Sequence, residues 1–538
     1  MKTCIRAVFA VGFLIAWVTP LLQAGTLNVP GDSPTIQGAI VVAANGDTIL
    51  VAPGTYVETI DLLGKQLVVE GTGGAAVTTI DGNAGGSTVS VHTGEPAGTA
   101  IRGFTLTGGT GQTVEVPGFQ GEPFFFPGGG GVHVGPTAHL ELTDCVITGN
   151  TVTGQFSMGA GVLLTGGTLA MSGCTLSGNT SERGAAITLI GYAHTLTASD
   201  CTLSGNTSTL LGAIYSAHGT GTFTDCAITD NTGIGVSLFG YQTHFSRCVI
   251  RGNTGWGLIS YGEVGADVIG CAFLGNGLGG AKCNEGLVFG SGDLVQDCVF
   301  AGGDGLDVSQ NLFADIANCT FDDTTITATG TQMTIKNSIG RGTTTINGYS
   351  SLGVTFSDVV GFGSGAGNID ADPQWVDAGN GDYGLLPASP CIDTGDPSSP
   401  LDPDGTRADM GAVPFENAFH DLGGGVARTA GPVVLAAHST LVGGDGVLFK
   451  LSGTAPLQST LLILGASQLG APFKGGTLWP NPSALIPLVT NGAGQLTLST
   501  TWPPAIPSGF KLWAQFWHPD AGAVAGFAGS NGVRGTVP

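Results

Sequence analysis

The phrase D-C-V-I-T-G-N at Asp144 to Asn150 decides the fold, because it returns seven more times before the chain reaches Thr324. Close copies read G-C-T-L-S-G-N, D-C-T-L-S-G-N, D-C-A-I-T-D-N, R-C-V-I-R-G-N and G-C-A-F-L-G-N. Two worn copies follow, D-C-V-F-A-G-G and N-C-T-F-D-D-T. Their cysteines stand at 145, 174, 201, 226, 248, 271, 298 and 319, a period of about 25 residues. Cys and the residue two places on (Ile147, Leu176, Leu203, Ile228, Ile250, Phe273, Phe300, Phe321) alternate with mostly polar or small neighbours. That is strand spacing, with both columns on one face. Asn closes six of the phrases (Asn150, Asn179, Asn206, Asn231, Asn253, Asn276), usually after Gly, where a tight bend tolerates left-handed backbone. A fixed period of this size, made of short strands and frequent bends, specifies a β-solenoid.

A second phrase precedes the Cys strands: G-G-V-H-V from Gly130, G-V-L-L from Gly161, A-A-I-T-L from Ala185 and G-A-I-Y from Gly212. With both phrases in view, the chain resembles a right-handed parallel β-helix of the pectin-lyase-like superfamily. The alternation of G-A-I strands with G-N bends also resembles bacterial polymorphic outer-membrane proteins. The resemblance implies several short strands per coil and a ladder of bend asparagines bonded along the axis. It spans residues 26–415 and speaks to architecture more than to activity, since this scaffold carries lyases, hydrolases, adhesins and spacers alike.

Residues 1–24 read as a secretory signal peptide. Lys2 and Arg6 precede an apolar run from Ala7 to Val18, and Gln23-Ala24 offers a small residue at the cleavage point. The protein is therefore expected outside the cell, with no membrane span in the mature chain. Removing the signal leaves 14 Lys and Arg against 39 Asp and Glu, a net charge of −25. So acidic a surface repels nucleic acid, and it grips polyanions such as pectate poorly.

Ser33-Pro34 opens a predicted helix over residues 34–44, with Ser as N-cap and Pro in the first position. Ile36, Ala39, Ile40 and Ala43 share one face, which suits a plug over the first coil. Phe104 takes the place of Cys in an early coil, G-F-T-L-T-G-G. An insertion at 110–128 carries Phe124-Phe125-Phe126, expected to fold back onto the coils. The segment 368–415 resembles the terminal segment of secreted β-helix proteins. From 416 to 538 the cysteines and G-N bends stop, and apolar strands between Gly/Pro turns predict a small antiparallel β-sandwich. Four tryptophans there (Trp479, Trp502, Trp513, Trp517) are expected in its core.

The cysteine column reads as a ladder of apolar thiols, because residues stacked in register point the same way and not at one another. No cofactor is expected. Asp402, Asp404 and Asp409 around Gly405 have calcium-loop-like spacing, with structural capping, or pairing with Arg407, as the competing reading.

Aligning the glycine-started strands predicts an inward column Val132, Val162, Ile187, Ile214, Val236, Leu258, Leu287, Leu306. The outward column is then His133, Leu163, Thr188, Tyr215, Ser237, Ile259, Val288, Asp307. Acids crowd only the last coils: Glu285, Asp304, Asp307, Asp322 and Asp323. G-G-D-G-L-D followed by F-D-D resembles the polygalacturonase pattern N-T-D-G-x-D followed by G-D-D. That resemblance implies an acid and a water-activating base among Asp304, Asp307, Asp322 and Asp323. Asn-Thr, the following His and R-I-K are absent from this chain, although Lys336 sits in T-I-K. A second constellation recurs on one bend: Tyr192 with His194, Tyr215 with His218, Tyr241 with His244, and Tyr261 with Glu263. Rings stacked up a solenoid lie flat against sugars, while His and Glu reach hydroxyls; the competing reading is bend filling, with Tyr and His shielding the coil edge. Two readings follow. The preferred one is a non-catalytic exported β-helix that binds polysaccharide or cell-surface glycans; the other is a polysaccharide hydrolase using the acid cluster.

Overall fold

The computed structural model describes residues 24–117, 122–191, 194–217, 219–239, 243–261, 266–284, 294–308, 313–343 and 345–538. The expected signal peptide therefore lies outside the described residues, apart from Ala24. Three parallel sheets of 14, 13 and 12 strands run along the solenoid. A coil gives one strand to each, as in His139–Thr143, Val146–Thr148 and Val162–Leu164. We call these the first, second and third sheets. The register keeps like on like: Ile147 pairs with Leu176, then Leu203, Ile228, Ile250 and Phe273. Aromatic rings stack where they meet, with Phe273, Phe300 and Phe321 at 5.0 and 5.2 Å between centroids and nearly coplanar. Phe104 is fully buried in the Cys column, as its place in the repeat predicts.

The asparagine ladder is continuous. The side-chain amide of Asn150 donates to Asn179 Oδ1 at 3.0 Å, and the pattern repeats through Asn206, Asn231, Asn253 and Asn276. Each fully buried amide thus has both ends bonded, which is what makes a buried polar column tolerable. A second left-handed bend precedes each cysteine, at Asp144, Asp200, Asp225 and Asn318 (φ 50–54°). Asp, Asn and Gly tolerate that backbone, which explains why D-C and G-C dominate the phrase. Arg247 is the exception, and its guanidinium bonds Asp225 of the previous coil at 2.8 and 2.7 Å.

All eight column cysteines are free and buried. Each Sγ donates to a carbonyl two residues back, for example Cys298 to Gln296 at 3.1 Å. Burial pushes the Cys298 and Cys319 thiols well above their ordinary range. Native protein should therefore resist alkylation, whereas denatured, unreduced protein should titrate with most of the eight column cysteines free. Finding three or more disulfides among the eight would contradict the thiol ladder.

Both ends of the coils are covered. The N-terminal helix is shorter than the sequence predicts, Ile36–Val42, and its N-cap is Thr35, not Ser33. Thr35 Oγ1 accepts the Gly38 N–H at 3.0 Å, while Glu58 accepts those of Ile36 and Gln37. The Ser33 hydroxyl turns instead to Thr35 O. Ile36, Ala39 and Ile40 plug the first coil. At the far end Arg341 binds Asp358 and Asp370, tying the last strand to the terminal segment. That segment packs Leu385, Cys391, Ile392, Met410 and Phe415 against Ile339 of the second sheet.

The insertion is an antiparallel hairpin, Gln112–Pro117 with Pro123–Gly128. Phe126 is buried with Val114, Met158, Leu163 and Tyr215, while Phe125 points outward. It folds back over the third sheet, as expected. Beyond residue 415, a six-stranded and a three-stranded antiparallel sheet enclose one core that includes Leu435, Phe449, Leu462, Phe516 and Val533. That is a β-sandwich. Trp502, Trp513 and Trp517 are buried; Trp479 is half-buried, its indole N–H bonded to Gly423 O.

Candidate functional site

Parallel register stacks equivalent residues of successive coils, so a groove along the solenoid is built from columns. One outward column of the second sheet runs Arg251, Leu274, Ala301, Asp322. Beside it lie the bend residues Asp230, Gly252, Gly275, Gly302 and Asp323, all left-handed (φ 48–75°). Their N–H groups make the same bond in turn, each to the carbonyl of the next coil's column residue: Arg251, Leu274, Ala301, Asp322 and Arg341. The three glycines leave a trough without side chains between Asp230 and Asp323. A short hairpin, Trp375–Asp377 with Asp382–Leu385, leans over this trough and closes it to a groove of 580 Å³. That size suits an oligomeric small ligand.

The groove's chemistry is polar. Tyr383 donates to Asp322 Oδ2 at 3.1 Å, and Asn380 is anchored to Asp377 at 2.7 Å. Burial holds the Asp322 carboxyl above the usual carboxylate range, opposed by the Tyr383 bond and reinforced by the charge of Asp323. Asp323 accepts the Thr343 N–H at 2.7 Å. Among the described residues, Arg251 is the one cationic side chain of the lining. The sequence reading picked out Asp322 and Asp323 but missed Asp230, Arg251, Asn380 and Tyr383. The D-N in D-C-A-I-T-D-N, where other copies have G-N, was the available signal for Asp230.

Of the four acids, the groove lining takes Asp322 and Asp323 and not Asp304 or Asp307. Asp304 and Asp307 lie on the third sheet, Asp322 on the second, with Asp323 at the bend that follows it. The register also corrects the predicted columns: Ala281 and Lys282 stand before Leu306 and Asp307. Leu287, Val288 and Glu285 lie outside the described residues. Lys282 Nζ meets Asp307 Oδ2 at 2.7 Å, so Asp307 is engaged in an ion pair. Lys336 likewise pairs with Asp396, at 3.4 Å.

Tyr192, His218, Tyr241 and Glu263 lie outside the described residues. Tyr215 is buried under the insertion hairpin, because that hairpin's apolar face needs a partner and the third sheet supplies it. His194 is buried as well, and His244 pairs with Asp267 at 2.6 Å. Tyr261 stacks on Phe239 at 4.4 Å. The described members are thus split between two sheets, Tyr215 and Tyr261 on the third, His194 and His244 on the first.

Asp402, Asp404 and Asp409 are occupied by backbone donors, which favours capping. Asp402 accepts from Asp409 N–H, Asp404 from Thr406 and Asn417, and Asp409 from Asp393 and Phe415. Arg407 donates to the carbonyls of Gly395 and Thr394, not to these carboxylates. Among the described residues, no three His, Cys, Asp or Glu side chains are grouped to hold a metal. Burial raises Asp402 to about 6 and Asp409 to about 7. A carboxyl raised on folding stabilises the fold when protonated, and that contribution is lost as pH rises through the folded value. Thermal stability should therefore fall between about pH 4, the ordinary carboxylate value, and about pH 7, by several degrees. A flat melting profile across that window would contradict the burial of Asp409.

Residues 115–273 and 212–359 match the family described as right handed beta helix region. No curated protein matches the chain. Among solved structures, a pectin methylesterase from Aspergillus niger is 15% identical, covering 50% of this chain and 86% of its own, with a TM-score of 0.30. The catalytic unit of a GH87 α-1,3-glucanase from Streptomyces thermodiastaticus is 15% identical, covering 65% and 68%, with a TM-score of 0.35. Tailspike protein 2 of an Escherichia coli bacteriophage is 11% identical, covering 96% and 68%, with a TM-score of 0.28. Likenesses this remote carry nothing about what the groove holds. Among the described residues no helix is long and apolar enough to cross a membrane. Over residues 115–359 the chain matches the right handed beta helix region family, and its three long parallel sheets give it a parallel β-helix fold.

Proposed function

We propose that the protein is exported and holds a glycan chain, without cleaving it, in the groove of the second sheet. The observation that carries this reading is the glycine-floored trough between Asp230 and Asp323. A bare trough accepts rings side by side, and its rim of carboxyl, amide and phenol groups matches sugar hydroxyls. One wall of the groove, the column from Arg251 to Asp322, repeats at the coil spacing of about 4.8 Å, close to the rise of a sugar ring in an extended chain. Export rests on Lys2, Arg6 and the apolar run that follows them. The non-catalytic part rests on the Lys282–Asp307 pair and on the absence of Asp304 and Asp307 from the groove lining.

The test is retention of soluble protein on a panel of neutral and acidic polysaccharides, scoring new reducing ends alongside. Parent protein should be retained on at least one glycan and release no reducing ends. Ala301→Trp, which fills the trough from an outward position, should abolish retention and leave the melting temperature within a few degrees. Equal retention of both proteins would place the binding elsewhere. Reducing ends released by the parent and not by Asp322→Asn would make the protein a hydrolase.

A further inference from the structure

Resting on the glycan reading, we propose that the groove selects a chain bearing free amines, a polymer of hexosamine type. The two ends of the trough carry the selecting charge. Asp230 leans over Gly252, where an added Cβ would come within 2.3 Å of its Oδ1, so one carboxylate reaches over the start of the glycine floor. At the other end stand Asp322, held by Tyr383, and Asp323, whose carboxylate accepts the Thr343 N–H and leans over Gly342 of the coil beyond. Between them the bends at Gly252, Gly275 and Gly302 offer no side chain, so nothing along the floor competes for a ligand's hydroxyls. The end bends are four coil spacings apart, roughly 19 Å. These are two anionic poles and not a single acidic cluster, and a chain of about four rings reaches both at once.

Charge argues for an amine over the alternatives. A uronic-acid chain would meet carboxylates at both ends and gain only Arg251, one coil from Asp230, on a mature chain of net charge −25. A neutral chain would gain hydrogen bonds but leave both poles unmatched. Protonated amines spaced along a hexosamine chain would answer each pole with a charge-assisted bond.

The experiment is calorimetric titration of the full mature chain with glucosamine oligomers of two to six rings, in mildly acidic, low-salt buffer where the sugar amine is charged. Their N-acetylated counterparts, neutral gluco-oligomers and galacturonate oligomers serve as comparisons. We expect glucosamine oligomers to bind at least about tenfold tighter than the acetylated ones, with the steepest gain on reaching about four rings. Asp230→Asn combined with Asp323→Asn should erase that preference, and the coils should stay folded, since Asn suits both left-handed bends. Equal binding of free and acetylated amines would overturn the proposal while leaving glycan binding intact. A preference that survives in the double variant would also overturn it, because the acidic surface at large would then be responsible. Binding of no sugar at all would remove the glycan reading and this inference together.

Discussion

Asn206→Leu is expected to destabilise the central coils by about 4 kcal/mol or more, although leucine is similar in size and apolar. Asn206 is fully buried, and five hydrogen bonds involve its side chain. Its Oδ1 accepts both the backbone and side-chain N–H groups of Asn179, while its own amide donates to Leu176 O, Ser204 O and Asn231 Oδ1. Leucine leaves Asn179's donors and the Leu176 carbonyl buried without those partners. Each such orphan costs about 1–3 kcal/mol. Because a solenoid coil contacts only its neighbours, the loss should appear as early melting of the central coils ahead of the ends. Thr229→Ala, at an outward position of the same sheet, should cost less than about 0.5 kcal/mol. Denaturant unfolding followed by hydrogen exchange separates these outcomes, and a neutral Asn206→Leu would mean that the ladder fills space and nothing more.

Arg341→Leu should cost a further class of energy, about 3–5 kcal/mol, by stranding a buried carboxylate. Asp358 has no exposed surface, and it also accepts the Ala371 N–H and the Cys391 thiol. Without the guanidinium that negative charge has no counter-ion among the contacts that hold it. The terminal segment should loosen, so limited proteolysis within residues 368–415 should accelerate sharply. Arg247→Ala provides the contrast. Its pair with Asp225 has good geometry but sits in solvent, 61% and 41% exposed, and should be worth less than about 1 kcal/mol. Similar losses for the two variants would contradict the distinction between a buried and a solvated pair.

The architecture was legible because a solenoid writes its repeat directly into the chain. Cys298 and Asn253 occupy the same places in their phrases as in their coils. The N-cap was harder to read: Ser33 and Thr35 both suit the role, and only the path of the chain decides that Thr35 faces the Gly38 N–H. The third-sheet column slipped at one coil because the phrase there is interrupted. Lys282, not Val288, therefore meets Asp307, and a supposed catalytic acid becomes half of an ion pair. Tyr215 looked like a surface ring because nothing local reveals a hairpin from residues 112–128 lying over it. The groove escaped for a related reason. Asp230 and Asp323 are 93 positions apart in sequence, and Tyr383 comes from a segment beyond the repeats. Register brings the first two onto one bend line, and the terminal hairpin brings the third. No periodicity announces either contact.

The most direct test of the account is a crystal structure of the mature chain soaked with whichever oligosaccharide it retains most tightly. Rings should lie along the second sheet, about one per coil, between Asp230 and Asp323, with hydroxyl or amine groups within hydrogen-bonding distance of Asp322, Asn380 or Tyr383. Rings ordered instead on the third sheet or on the C-terminal sandwich, with the glycine trough empty, would contradict it.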